Sequence, residues 1–117
     1  MAQPLTPDLG QALNTIRDLV HEWAKEKGWW EKERNKFELI ALMHSELSEA
    51  VEFLRKKEQP AMDDHVPGLT GEAAEMADVI IRIFDYCGAF GIDIGEAVKA
   101  KHAYNLQRPY RHGGKVA

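Results

Sequence analysis

Apolar residues recur at three- and four-residue spacing along most of the chain, and no stretch alternates apolar with polar residues over the length of a convincing strand. Leu9, Leu13, Ile16, Val20 and Trp23 predict a first helix over about residues 7 to 27. Thr6-Pro7-Asp8 reads as an N-cap followed by proline at the first helical position, and Gly28 offers the stop. From Arg34 a second run carries Phe37, Ile40, Met43, Leu47, Val51 and Leu54, predicting a long helix over about 34 to 57. Pro60, Pro67, Gly68 and the acidic pair Asp63-Asp64 make the following stretch a surface loop. Thr70 is placed to cap a third helix over 71 to 90, which Gly91 ends. Asp93 then caps a fourth over 93 to 106, with Ile94, Ala97, Val98 and His102 on its inner stripe and Pro109 beyond its end. The expectation is an all-α four-helix bundle, a single helical domain over 1 to 117 with a basic tail over 107 to 117.

A chain of 117 residues buries a limited core when alone, so self-association would complete it. With 44% apolar and 29% charged residues, the composition is that of a soluble globular protein. No apolar run approaches the ~20 residues of a membrane span. Met1 to Gly10 lacks the organisation of a signal peptide, and a cytoplasmic location is expected. The single cysteine, Cys87, falls in an apolar run and reads as a small buried hydrophobe. A net charge of −4 and a pI near 5.7 argue against stable nucleic-acid binding, which needs an excess of Lys and Arg. The tail is a local exception, because Arg108, Arg111, His112 and Lys115 among Gly113 and Gly114 suit a flap that closes on a small polyanion.

Chemistry enters with the acids of the second and third helices. Turning ~100° per residue, Leu39, Leu42, Ala50 and Phe53 surround Glu46 on the wheel, so Glu46 lies inside the apolar sector. Glu49 falls near its edge. Glu75 likewise shares its side with Val79 and Tyr86, and Asp78 lies at the boundary with Arg82 and Asp85. A solvated charge stripe does not account for Glu46, and the bland alternative for the set as a whole is ordinary solvated or salt-bridged acids. A buried carboxylate must be protonated, paired or metal-bound, and Arg82 is the obvious internal cation. Oxygen-only ligands favour magnesium, with manganese as the alternative, and acids at i and i+3 can reach one ion from one helix face.

Glu46-Leu47-Ser48-Glu49 and Glu75-Met76-Ala77-Asp78, with twenty-five residues between Glu49 and Glu75, resemble the ExxE and ExxD helices of the MazG-like nucleotide pyrophosphohydrolases, also called all-α NTP pyrophosphatases. Gly91-Ile92-Asp93 and the segment from Lys101 to Asn105 also resemble family landmarks, so the likeness runs from about the first helix to Pro109. It implies hydrolysis of nucleoside triphosphates, deoxynucleotides among them, between the α and β phosphates, giving a monophosphate and pyrophosphate. It also implies Glu46, Glu49, Glu75 and Asp78 as ligands of magnesium, and a homodimer or homotetramer. Glu49, at the wetter edge, is the candidate general base. Lys101 and Asn105, one turn apart, suit phosphate oxygens, and Arg108 could add a contact. Trp29 and Trp30 either stack on a nucleobase or plug the core, and His21 either approaches the site or packs.

Two other classes compete. A carboxylate-bridged di-iron bundle needs Glu-x-x-His pairs, and none occurs. A non-catalytic helical dimerisation or adaptor module would place the acids in ion pairs between subunits and predicts neither tight divalent binding nor turnover.

Overall fold

The computed structural model describes residues 1–111 and is all-helical, with an isolated bridge between Met62 and Thr70 as its only extended pairing among those residues. His112 and Lys115, on which part of the basic tail rests, lie outside the described residues. Four helices follow in order: α1 (Pro7–Glu26), α2 (Lys36–Leu54), α3 (Gly71–Ala89) and α4 (Ile94–Leu106).

Side-chain chemistry at the ends sets these bounds. Asn35 accepts from the backbone N–H groups of Phe37 and Glu38 at 2.8 and 3.2 Å, so α2 starts at Lys36 rather than near Arg34. At its far end Gln59 folds back and its amide donates to the carbonyls of Phe53, Leu54 and Lys56, stopping α2 at Leu54 rather than Lys57. Thr70 accepts from Ala73 and Asp93 from Glu96, as caps should. Thr6 holds the N-cap position of α1 without a side-chain cap bond. Gly28 and Gly91 close α1 and α3 with φ of +86° and +66°, a left-handed backbone that glycine adopts without strain.

The helices pack as a series in which α2 lies on α3, α3 on α1, and α1 on α4. Asn14 fixes the last of these junctions: its amide donates to Asp93 at 2.8 Å and accepts from the Gly95 N–H at 2.9 Å. Gly95 and Gly10 let the two backbones touch there, because a Cβ on Gly95 would collide with the Gly10 carbonyl. Gly88 plays the same part between α3 and α1, where a Cβ would come 2.6 Å from that of His21.

The resulting core is thin. Ala24, Leu39, Ala50, Ala74, Phe84 and Cys87 are its buried apolar members, and no large side chain is fully enclosed among the described residues. Total accessible surface is 8917 Å², whereas a compact monomer of 13.3 kDa exposes about 6,500 Å². Much apolar surface lies along α2, where Phe37, Ile40, Leu47, Val51 and Leu54 are exposed at alternating three- and four-residue steps once His44 is included. No helix among the described residues is long and apolar enough to cross a membrane.

Candidate metal centre and adjoining cavity

Helices α2 and α3 face each other, and the acids of both enter their interface. Glu46 and Glu75 are buried at 8% and 7% exposure, while Asp78 and Glu49 lie at the exposed rim. One carboxylate oxygen from each of Glu46, Glu75 and Asp78 falls within 4.8 Å of the others. Opposite ligands of one magnesium ion are about 4 Å apart, so modest side-chain rotation brings all three onto one ion. Glu49 is outside that trio of oxygens but close enough to Glu75 to act on its proton affinity.

The electrostatics divide the two buried acids. Burial raises the Glu75 carboxyl, and its hydrogen bonds and proximity to Glu46 and Glu49 raise it further, to about 8. Glu46 has the opposite balance: burial opposes its charge, but the Glu75 carboxyl and the Arg82 guanidinium together hold it below the usual carboxylate range. Arg82 Nε donates to Glu46 Oε1 at 2.9 Å. Asp78 is pushed up by burial and by the Glu46 charge, with Arg82 opposing. At neutral pH Glu75 therefore keeps its proton and Glu46 leans on Arg82.

One oxygen remains unexplained by these pairings. Glu75 Oε2 is buried and has no hydrogen-bond partner among the described residues. A buried carboxylate oxygen without a donor, on one member of a trio of carboxylates, fits a hard divalent cation.

The centre opens into a cavity of about 260 Å³ bounded by α1, α3 and the segment after α1. Glu46 and Asp78 line one part of it, Asp85 and Arg34 another, and Trp23 and Trp29 give it aromatic walls. Burial separates the adjacent tryptophans. Trp29 is 58% exposed and borders the cavity, whereas Trp30 packs edge-on against His21 and Phe90. His21 packs rather than joining the acids: its Nδ1 lies 2.8 Å from Asp85 Oδ1, and Trp30 Nε1 donates to the same carboxylate at 2.9 and 3.1 Å.

In the sequence Asp85 reads only as a boundary residue of α3, because its partners come from α1 and from the loop beyond it. Lys101 and Asn105 are exposed on α4 and do not border this cavity among the described residues, since α4 packs on α1. Lys101 and Arg108 instead lie over the Tyr104 ring, at 5.2 and 5.9 Å from its centroid. Comparisons of the chain with protein-family models, curated proteins and solved structures found no match.

Proposed function

We propose that the protein is a magnesium-dependent nucleoside triphosphate pyrophosphohydrolase, and the observation that carries this reading is the buried, unpartnered oxygen of Glu75 amid the carboxylates of Glu46 and Asp78. Without an ion the cluster is held together by the Glu75 proton and by Arg82, and a divalent cation can take the place of that proton and satisfy the free oxygen. The adaptor reading needs a cation from a partner at this depth, yet Glu75 lies between helices of one chain. The resemblance of the ExxE and ExxD pairs to the MazG-like family supplies the reaction, hydrolysis between the α and β phosphates.

Glu46, Glu75 and Asp78 would hold the ion, with manganese able to replace magnesium, and Glu49 completes the set from the rim. When bound, magnesium neutralises charge on the polyphosphate and activates water for attack. Glu75 must surrender its proton as the ion enters. Arg82, one turn beyond Asp78 and now paired with Glu46, would be the cation placed to contact a phosphate if an ion took over the Glu46 charge. Glu49, exposed at the rim, accepts the proton of the attacking water. Trp29 offers its ring face to the base.

The exposed apolar stripe of α2 and the excess accessible surface support a homo-oligomer. Lys101, Asn105 and Arg108 do not border the single-chain cavity, so any contact they make with the phosphates would come from a neighbouring copy.

The test is product analysis by phosphorus NMR on a panel of ribo- and deoxynucleoside triphosphates. Monophosphate and pyrophosphate should form with magnesium and not with chelator. Glu46→Gln and Asp78→Asn should abolish turnover while helical circular dichroism stays unchanged. Wild-type rates in either variant, or diphosphate and phosphate as products, would remove the assignment.

A further inference from the structure

Asp85 carries more than its structural contacts require. Its carboxylate is fixed by two donors, His21 Nδ1 and Trp30 Nε1, both converging on Oδ1 at 2.8 and 2.9 Å. The second oxygen, Oδ2, receives only the longer 3.1 Å contact from the same Trp30 N–H. A carboxylate has about four lone-pair directions, so acceptor capacity remains, and Asp85 borders the cavity that leads to the acids. It is a rigidly held acceptor on the wall of a binding space.

Its position along α3 matches the dimensions of a nucleotide. Asp78, Ile81 and Asp85 lie on one face of the helix, and the seven-residue rise from Asp78 to Asp85 is about 10 Å. With the phosphates at the acids, the sugar passes Ile81 and the far edge of the base arrives at Asp85. Trp29 borders the same space with the Arg34 guanidinium over its ring, 5.9 Å from the centroid, and a base entering the cavity would stack there in place of Arg34.

We propose that Asp85 reads the edge of the nucleobase and selects guanine, an assignment that rests on reading this cavity as the nucleotide site. Guanine is the common base with two adjacent N–H donors, at N1 and the 2-amino group, on its pairing edge. Adenine and cytosine set an acceptor beside their amino group, and uracil and thymine flank one donor with two acceptors. A fixed carboxylate attracts the first pattern and repels lone pairs in the others.

The same anchoring makes the inference testable by a near-isosteric change. In Asp85→Asn, His21 and Trp30 both donate to the position of Oδ1 and so hold the amide oxygen there. The amide NH₂ then takes the place of Oδ2, the oxygen with acceptor capacity left, and the wall changes from acceptor to donor. Xanthine, with an oxygen in place of the 2-amino group of guanine, becomes the better fit.

Binding of guanosine, inosine and xanthosine 5′-monophosphates, with magnesium present, should be titrated by tryptophan fluorescence and calorimetry on wild type and Asp85→Asn. The wild type should bind the guanosine nucleotide about tenfold tighter than the inosine nucleotide, which lacks the 2-amino group. The variant should prefer the xanthosine nucleotide over the guanosine one. Equal wild-type affinity for guanosine and inosine nucleotides, or equal weakening of all three in the variant, would overturn the assignment and leave Asp85 a prop for Trp30. Failure of all three to bind would overturn it together with the nucleotide reading of the cavity. The hydrolytic reading fails separately: the predicted binding order without turnover of any triphosphate would sink that reading and keep this one, and turnover of all bases at equal kcat/KM would do the reverse.

Discussion

Burying Glu75 with one oxygen unpartnered makes its charge unfavourable unless a cation is present, which ties folding and proton binding to one side chain, and under the proposed function metal binding with them. Its carboxyl is raised from 4.5 to about 8, so between those values the folded chain holds a proton that the unfolded chain has lost. This group's contribution to stability therefore falls as pH rises from 4.5 towards 8. We expect the Tm of chelated protein to decline over that interval, to decline less in Glu75→Gln, and to be restored by magnesium most strongly at the alkaline end. Arg82 has a different signature. Removing it in Arg82→Gln leaves the buried Glu46 charge unpaired, at a cost of about 1 to 3 kcal/mol once the partial exposure of Arg82 is allowed for. It also removes an internal competitor, so manganese should bind that variant more tightly, as a calorimetric titration would read directly. At this scale the depth of Glu46 and Glu75 was legible, because a carboxylate inside an apolar sector of a helix has nowhere else to point. The anchoring of Asp85 by His21 and Trp30 was not, because it joins residues 64 and 55 positions apart and depends on how α1 meets α3.

The helices themselves follow from local rules, and their junctions do not. Thr70 and Asp93 cap where a short polar side chain precedes an apolar repeat, and Gly28 and Gly91 stop where their positive φ is needed. The end of α2 is three residues earlier than its pattern suggests, since Gln59, in the predicted loop, reaches back to carbonyls of residues that the pattern treats as helix. Which glycines serve packing rather than turning is likewise a tertiary matter. Gly95 is the clearest case, with the Gly10 backbone against it. Gly95→Ala gains helix propensity, worth up to about 1 kcal/mol, but forces α1 and α4 apart. We expect a net loss of about 1 to 3 kcal/mol in chemical unfolding, because the obstacle is backbone and cannot swing aside. A more stable variant would mean that the two helices separate without cost.

The need for extra burial was readable from length alone, and the structure locates it. Surface exceeding that of a compact chain of this mass is accompanied by an exposed apolar stripe along α2. If that stripe joins two copies, Leu47→Glu should lower the sedimentation mass to that of one chain and make Tm independent of protein concentration, unlike the wild type. The arrangement α2, α3, α1, α4 also explains why Lys101 and Asn105 stand apart from the acids, since their helix is docked on α1. Spacing within a helix could pair those two residues with each other but could not say which cavity their helix would face.

The claim on which the functional account depends is that Glu46, Glu75 and Asp78 hold a divalent cation. It is tested most directly by titrating manganese into chelator-treated protein at pH 7, following the free ion by electron paramagnetic resonance and proton release in weak buffer. The account predicts saturable binding with about one proton released per ion at the Glu75 site, and loss of that proton release in Glu75→Gln. Absence of saturable binding, or proton release unchanged in Glu75→Gln, would contradict it.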